Sequence, residues 1–410
     1  MSILNKESLE FLTYLDRSLI ANDNSKLFSH LMDYIPLSIK KYPSGTKCYD
    51  WVVPKGWKFH SVKILDSSGN EVFSSKNVLS VVNYSSSFYG KISLKDLLEH
   101  IHHSEARPYR TSYYKDQWGL CLTTKERALL VDDYYSISIN TEFYDGDLDL
   151  AVASIEGKSN KEVMLSSYIC HPNQSNDGVS GVLLLVELYN LLKDLDLKYT
   201  YNFYFWPETI GAIATLANKP NINDIEYALV STTVGFGTPT YKKTYVGNHG
   251  LDNIAGSHIS NSIDFTPFGS DERQYSSNGI KIPAGVITGT PYGEYIEYHT
   301  EADNPNLVDL KHIRKMSKLY LKIILEYEQR VCYKTITSGC EPFLSDKGLY
   351  RSIGIPGHNK YDTIRNWVIY LSDGLHSTLD MSIESGMPIV EIEDVVETLI
   401  KRKVIYENIC

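Results

Sequence analysis

Residues 163 to 192 read VMLSSYICHPNQSNDGVSGVLLLVELYNLL and carry the clearest structural signal in the chain. An apolar run typical of a buried strand ends just before His171, and a long apolar helix begins at Ser180-Gly181. Asp177 lies three residues before that Ser-Gly pair. An imidazole at a strand end and a carboxylate ahead of a helix would share one crevice, where nitrogen and oxygen ligands can bind zinc. The alternative is that Asp177 only caps the helix and His171 is a loop residue.

The alternation of strand and helix continues on the C-terminal side of this segment. Further strands are predicted at residues 201–206, 226–231 and 284–288, and further helices at residues 211–216 and 310–330. Such alternation predicts an α/β fold, in which helices cover both faces of a sheet. The site of such a sheet lies beyond the carboxyl ends of its strands.

Polar residues follow several of these predicted strands. Glu208 comes just after the 201–206 strand, and His299 lies in a polar loop before the last helix of the α/β part. Between them, a loop dense in charge contains Asp271, Glu272 and Arg273. Taken alone, Glu208 would be a helix N-terminal glutamate that the helix dipole favours. The order and context of the whole set instead indicate a metal site.

The regions outside the alternating part have other patterns. Residues 5–40 predict two helices, and short alternating runs between residues 48 and 140 predict a mainly β module, with a hairpin near residues 57–73 and a strand at 128–131. After residue 335, three helices and a short β piece are typical of a winged helix-turn-helix. The predicted domains are therefore a catalytic domain (1–47 and 141–335), an inserted β-rich domain (48–140) and a winged helix-turn-helix domain (336–410).

Composition excludes several classes of protein. The net charge of −10 argues against a nucleic-acid binder, and residues 345–410 hold ten acidic against seven basic residues, so homo-oligomerisation or packing against the catalytic domain is the expected role of that module. No apolar run approaches the roughly 20 residues that span a bilayer, and the N-terminus lacks the apolar core of a signal peptide. We expect a cytoplasmic protein, without membrane contact, whose six cysteines are free thiols.

The same motifs carry a resemblance to a known family. The order His171, then Asn-Asp-x-x-Ser-Gly at 176–181, Glu208 with a glycine three residues later, and Tyr-His-Thr at 298–300 is similar to the zinc aminopeptidase and glutamate carboxypeptidase fold. More narrowly, the chain resembles bacterial proteins described as polysaccharide biosynthesis proteins with an aminopeptidase-like domain, through six short stretches: WVVP (51–54), RTSYY (110–114), WGLC (118–121), PETIG (207–211), GSDERQ (269–274) and EYHT (297–300).

This resemblance implies a three-layer, zinc-aminopeptidase-like catalytic domain, a lid-like inserted β domain and a C-terminal winged helix. Carried over position by position, it implies the metal ligands His171, Asp177 and His299 and the general base Glu208.

Two ligands of the typical two-metal enzyme are absent. Thr209 stands where a second glutamate is expected, and Thr232 is the residue nearest the place of an aspartate. Two histidines and one carboxylate remain, and they leave a coordination position for water. Since three protein ligands are sufficient for catalysis by zinc, we predict one zinc ion per chain.

The predicted reaction is hydrolysis of an amide bond in a small peptide or related substrate. Zinc lowers the pKa of a water, and Glu208 accepts its proton and hands it to the leaving amine. Positive charge near Glu208 should keep its carboxylate ionised at neutral pH.

Substrate-binding candidates come from two regions. Near the predicted metal site they are Asp271, Glu272 and Glu294 for a substrate amine and Arg273 for a substrate carboxylate; the alternative is a surface cluster of salt bridges. From the β module they are Arg110, Tyr113 and Tyr114, and a tyrosine-rich domain interface is the alternative.

Two other functions remain open at this point. One is a catalytically weak binding or regulatory protein that keeps the fold, which the lost ligands and the winged helix would suit. The other is a hydrolase of a non-peptide amide in polysaccharide biosynthesis, such as an acylated amino sugar.

Overall fold

The structure, a computed structural model, describes residues 2–350 and 359–409. The helices are α1 (Lys6–Tyr14), α2 (Asn24–Met32), α3 (Leu94–Leu98), α4 (Thr124–Ala128), α5 (Ser180–Leu192), α6 (Ile210–Asn218), α7 (Gly250–His258), α8 (Glu272–Tyr275), α9 (Leu310–Glu328), α10 (Lys360–Leu371), α11 (Thr378–Ser385) and α12 (Ile389–Lys401). The strands are β1 (Ser38–Pro43), β2 (Lys47–Cys48), β3 (Trp51–Val52), β4 (Gly56–Leu65), β5 (Glu71–Ser75), β6 (Phe88–Ser93), β7 (Ile101–Ser104), β8 (Leu120–Thr123), β9 (Tyr134–Tyr144), β10 (Asp147–Ile155), β11 (Glu162–Tyr168), β12 (Thr200–Trp206), β13 (Ile225–Ser231), β14 (Thr240–Lys242), β15 (Asn261–Ile263), β16 (Ala284–Thr288), β17 (Val331–Thr335) and β18 (Ile405–Ile409).

The first of two compact units comprises residues 1–245 and 261–321 and is built on an eight-stranded sheet. Its strand order is β1-β10-β12-β11-β13-β16-β14-β15, and β12, β11, β13 and β16 run parallel. The mixed α/β class predicted from the alternating pattern is confirmed. Because those four strands are parallel, their carboxyl ends meet at one edge, where the residues after β11, β12 and β13 gather.

The centre of this sheet is apolar because its strands are covered on both faces. All residues of β12 after Thr200 and all of β11 after Glu162 are buried. Helix α5 packs unusually close to the sheet, since a Cβ on Gly181 would lie 2.1 Å from the carbonyl oxygen of Ser231. Only glycine permits that approach, which explains the Ser-Gly pair at the start of the helix.

A four-stranded antiparallel sheet of order β5-β4-β9-β6 is built mainly from the predicted β-rich insertion (48–140), and β9 continues past residue 140 to Tyr144. The hairpin predicted near residues 57–73 is confirmed by β4 and β5. The strand predicted at residues 128–131 was wrong. Thr123 and Glu126 form a reciprocal capping box that begins α4, so the apolar residues of that stretch finish a helix and the turn after it.

The second unit comprises residues 246–260 and 322–410. Helices α10, α11 and α12 surround a small core that includes Val368, Met381, Ile392 and Leu399, beside the antiparallel pair β17–β18. This is the predicted arrangement of three helices and a short β piece. The exposed residues of α12 include Glu393, Asp394 and Glu397, so the surface of this helix is acidic, as the sequence predicted.

The cysteines depart in part from the prediction. Cys48, Cys121, Cys170 and Cys340 are free. Cys332 is disulfide-bonded, so the prediction of a free thiol was wrong for this residue. Cys410 lies outside the described residues.

The described helices were also compared with the length and hydropathy that a bilayer requires. Within residues 2–350 and 359–409, none is both long enough and apolar enough to cross a membrane.

Candidate active site

Three predicted ligands, far apart in sequence, meet at the carboxyl edge of the large sheet. The candidate ligand atoms of His171, Asp177 and His299 all lie within 4.8 Å of one another. The closest pair is His299 Nε2 and Asp177 Oδ2, at 3.0 Å. Both atoms are buried, and apart from this contact neither has a hydrogen-bond partner within the described part of the chain. Buried polar atoms without a well-aligned hydrogen bond are costly, so two candidate ligand atoms that face each other in this way fit a shared cation.

His171 and Asp177 are positioned by the turn between β11 and α5. His171 follows the end of β11 by three residues, and Asp177 lies in the irregular turn Ser175–Val179. Gly178 has φ +113°, a conformation that side-chain-bearing residues rarely adopt. The sharp turn at Gly178 lets the chain enter α5 while the Asp177 carboxylate stays at the sheet edge.

The backbone of this turn is held by the buried carboxylate of Asp303. Its two oxygens accept hydrogen bonds from the backbone N–H groups of Ser175, Asn176 and Asp177, at 3.1, 2.6 and 2.9 Å. The Tyr295 hydroxyl donates a fourth, at 3.1 Å. Asp303 therefore fixes the peptide that carries the candidate ligand Asp177.

Replacing Asp303 with asparagine is expected to weaken zinc binding by roughly 10–100-fold, the usual effect of losing a partner that orients a ligand. The amide would point donor hydrogens at backbone N–H groups, which also need acceptors. The measurement is zinc affinity by competition with a chromogenic chelator. Asp380→Asn is the matched control, because Asp380 is equally buried but belongs to the second unit; an equal loss of affinity in both variants would contradict the assigned role.

Arg17, which follows α1, holds the backbone of the loop that contains His171. Its buried guanidinium donates to the carbonyl oxygens of Ile169, His171 and Gln174, at 2.6, 2.5 and 3.0 Å. Burial lowers the pKa of Arg17 only to about 10, so the group is charged at neutral pH. A buried cation thus ties the N-terminal region to the loop of the first ligand.

His299 is held by a segment of the β-rich insertion. The backbone N–H of Tyr109 donates to the His299 carbonyl oxygen at 2.7 Å, and Pro108 and Thr300 form a β-bridge. The Tyr109 ring meets His171 and His299 edge-to-face, each at a centroid distance of 5.3 Å. The insertion therefore supplies one aromatic ring, that of Tyr109, which packs against both imidazoles.

Two of the candidate ligands, His171 and Asp177, have protonation states that suit a metal. Burial lowers the pKa of His171 to about 4, so its imidazole is neutral at pH 7. Burial raises the pKa of Asp177, but nearby His171 and His299 and the hydrogen bond from Tyr168 outweigh it, leaving a pKa of about 2. Neutral imidazole and ionised carboxylate are the forms that coordinate zinc.

Glu208 lies beside this set, two residues beyond the end of β12. Its Oε2 is 3.8 Å from His171 Nε2, and its backbone N–H donates to Cys170 Sγ at 3.2 Å. Burial, followed by the charge of Asp271, raises the pKa of Glu208 to about 8. The next residue, Thr209, has φ +67°, and such strain clusters at functional sites.

Two of the predicted substrate-binding acids have another role, which corrects that prediction. The buried Asp271 carboxylate accepts from Trp206 Nε1 at 2.8 Å and from the Thr209 N–H at 2.7 Å. Glu272 is buried in an ion pair with Lys242 at 2.9 Å. Both carboxylates are paired inside the protein rather than facing a substrate. Asp271 supports the loop after β12, and Glu272 joins its own loop to Lys242 in β14.

The remaining candidates lie in more accessible places. Arg273 donates to Thr209 Oγ1 at 3.0 Å, directly beside Glu208, and is half-buried. Glu294 and Arg110 are exposed, and Tyr114 is exposed against Trp51 at a ring distance of 5.3 Å. Substrate contact by these four residues stays a prediction.

Tyr113, the other tyrosine of the predicted pair, is joined through its hydroxyl to Tyr109 at 2.8 Å. It reaches the site indirectly, through the tyrosine that packs against both histidines.

Three residues that hold the candidate ligands in place were not predicted from the sequence: Arg17, Tyr109 and Asp303. Asp303 could have been predicted, because it is a carboxylate that lies four residues after the candidate ligand His299 in the same polar loop. Tyr109 precedes the RTSYY motif directly. Arg17 is 154 positions before His171, and nothing near it in the sequence points to that contact.

Two family models match this chain, and they divide it near residue 330. Residues 7–330 match a family model described as a domain of unknown function, DUF4910, and residues 331–407 match a winged helix-turn-helix model. A Clostridium acetobutylicum protein, provisionally named a polysaccharide biosynthesis protein with an aminopeptidase-like domain, is 36% identical over 405 residues, covering 95% of this chain and 93% of that protein.

Solved structures show the same architecture. A crystal structure from Clostridium acetobutylicum, provisionally described as a peptidase, has a TM-score of 0.76 at 33% identity over 98% of this chain and 95% of that chain. A zinc aminopeptidase from Bacillus subtilis has a TM-score of 0.56 at 10% identity, over 78% of this chain and 93% of its own. An aminopeptidase from Aneurinibacillus has a TM-score of 0.51 at 12% identity, over 78% and 92%.

The last two likenesses show the fold alone, whereas the clostridial relative and the family match extend over most of the chain. The fold is that of the aminopeptidases, followed by a winged helix-turn-helix. The chain therefore belongs to the DUF4910 family and is a relative of the clostridial protein named for polysaccharide biosynthesis and an aminopeptidase-like domain.

Proposed function

We propose that this protein is a metal-dependent hydrolase of amide bonds, with one zinc ion held by His171, Asp177 and His299. The observation that carries the proposal is the convergence of two buried atoms, Asp177 Oδ2 and His299 Nε2, which lie 3.0 Å apart and have no other hydrogen-bond partner among the described residues, with His171 beside them. When bound, zinc supplies a Lewis acid that polarises a carbonyl and lowers the pKa of water. The aminopeptidase fold supports a hydrolase of the peptidase kind.

Glu208 is the proposed general base. Its side chain is 24% exposed and within 3.8 Å of His171, so it can reach both the ligands and a water entering the site. Glu208 accepts a proton from that water as the water oxygen attacks the amide carbonyl carbon. It returns the proton to the nitrogen as the C–N bond breaks, and the products are a carboxylic acid and an amine. With a pKa of about 8, the Glu208 carboxyl is protonated at pH 7 when no cation is bound, so the role requires the bound zinc to favour the ionised carboxylate.

The substrate does not need to be a peptide with a free amine. Two of the acids that were expected to hold such an amine, Asp271 and Glu272, are buried and paired within the protein. A non-peptide amide, such as an acylated amino sugar, is therefore the second candidate, and the name of the clostridial relative is consistent with it.

The proposal is tested by stripping the metal with a chelator, restoring zinc, and assaying aminoacyl p-nitroanilides beside N-acylated amino sugars. We expect hydrolysis of one class that disappears with the metal and returns with zinc. A folded protein that binds no zinc and turns over neither class would contradict the proposal and favour a binding or regulatory role.

A further inference from the structure

The two oxygens of the Asp177 carboxylate have different surroundings. Oδ2 lies 3.0 Å from His299 Nε2 and has no other hydrogen-bond partner within the described residues. Oδ1 accepts a hydrogen bond from the hydroxyl of Tyr168, the last residue of β11. One oxygen is thus open toward the proposed zinc, while the other is already occupied by a protein group.

The Tyr168 hydroxyl is itself enclosed. Thr232 Oγ1, just past the end of β13, donates to it at 2.6 Å, and both residues are buried. A phenol has one hydrogen to give, and an ionised carboxylate can only accept. The order of donors is therefore Thr232 to Tyr168 to Asp177, and the hydrogen of the phenol points at the Asp177 oxygen.

We propose that the Tyr168 hydroxyl takes the place of a second cation beside Asp177 and so restricts the site to one ion. Two-metal hydrolytic sites hold their ions about 3.5–4 Å apart, and a carboxylate that bridges them must give one oxygen to each. Here Oδ1 of Asp177 accepts a hydrogen bond from the Tyr168 hydroxyl. Behind Tyr168 lies Thr232, whose side chain is a neutral hydroxyl rather than a carboxylate. The inference rests on the metal site proposed above and adds Tyr168 as a positioning residue.

The backbone around Tyr168 keeps the hydroxyl in this position. A Cβ on Gly178 would lie 3.4 Å from the Tyr168 carbonyl oxygen and 3.6 Å from its ring, so the turn that carries Asp177 packs directly on the tyrosine. The tyrosine ring also lies 4.8 Å from the His171 ring. Tyr168 is therefore fixed between a ligand histidine and the ligand carboxylate.

The test counts zinc ions in a set of variants after equilibration with excess zinc and removal of free metal. We expect one ion per chain in the wild type, in Tyr168→Phe and in Thr232→Asp, and two ions in the Tyr168→Phe/Thr232→Asp double variant. The first change frees Asp177 Oδ1 and the second supplies an opposing carboxylate, so only the two together complete a second site. Tyr320→Phe is the control, because its buried hydroxyl donates to the Ile287 carbonyl oxygen at 2.8 Å, away from the ligands.

A second readout uses cobalt in place of zinc. Two cobalt ions that share a carboxylate are magnetically coupled, so the double variant should lose paramagnetic resonance intensity per ion, whereas the wild type should not. The proposal is overturned if the wild type holds two ions, if Thr232→Asp alone takes up a second, or if a folded double variant holds one. If the double variant does not fold, two ions in the wild type or in Thr232→Asp would still overturn the proposal.

A different set of results would contradict the proposed function itself. In that case the wild type would hold no zinc, or would keep its zinc when His299 is replaced by alanine. A wild type that holds one ion and loses it on that replacement, beside a folded double variant that gains none, would remove the role of Tyr168 and leave the hydrolase proposal intact.

Discussion

The His299→Ala variant is expected to lose its zinc, with an affinity lower by more than about 100-fold, since loss of even an outer partner of a ligand costs roughly 10–100-fold. The imidazole contributes a donor atom 3.0 Å from Asp177 Oδ2, and His171 is the one other histidine of this group among the described residues. The measurement is metal content by mass spectrometry together with competition for zinc by a chelator. Hydrolysis should fall with the metal content.

His60→Ala is the matched control for this variant. The His60 side chain is 35% exposed, close to the 33% of His299, and it also approaches a carboxylate, Glu142, at 3.3 Å. It lies in β4, within the four-stranded sheet. We expect His60→Ala to keep both zinc and activity. Equal metal in the His299→Ala variant and the wild type would mean that the site is elsewhere.

The Glu208→Gln variant should show the opposite pattern, with metal retained and turnover lost. General acid–base catalysis contributes roughly 10²–10⁴-fold, so kcat should fall by about 10³-fold. The amide has nearly the shape of the carboxylate but cannot accept a proton. The zinc content should stay at the wild-type level, because Glu208 is not among the three candidate ligands. The measurement is kcat beside metal content on the same preparation.

Glu162→Gln controls for the loss of a partly buried carboxylate. The Glu162 side chain is 23% exposed, against 24% for Glu208, and pairs with Lys219 at 2.6 Å at the opposite end of the sheet. Its removal should leave kcat unchanged within about twofold, because it touches no reacting group. If Glu208→Gln retained full turnover, another group would have to be the base.

Much of the fold could be predicted because the decisive segments have strong local patterns. The apolar run of β11, the polar loop and the apolar start of α5 follow one another within about 30 residues. Parallel strands bring their carboxyl ends together, so the positions of His171 and Glu208 near one crevice followed from the order of elements. The clustering with His299 came from a family resemblance and agrees with the structure.

The surroundings of the site could not be predicted in the same way. Asp271 and Glu272 look like exposed charges in sequence, but their partners Trp206 and Lys242 come from two other strands. Arg17 shows the same limit, since its acceptors are backbone carbonyl oxygens that no sequence pattern reveals. In each case a charged side chain is buried because of contacts made across the fold rather than along the chain.

The wide spacing of these partners along the chain has a consequence for the order of folding. Arg17 contacts residues more than 150 positions away, and Asp303 holds a turn 126 positions before it. Contacts of such high sequence separation carry the largest loop-closure entropy and form late. The crevice for the ion is therefore assembled in one of the last steps, so we expect the cation to enter a nearly finished apoprotein rather than to nucleate its collapse. In a newly synthesised chain, Arg17 must accordingly stay hydrated until residue 174 has been made, and the turn that carries Asp177 must wait longer, until Asp303 has been made.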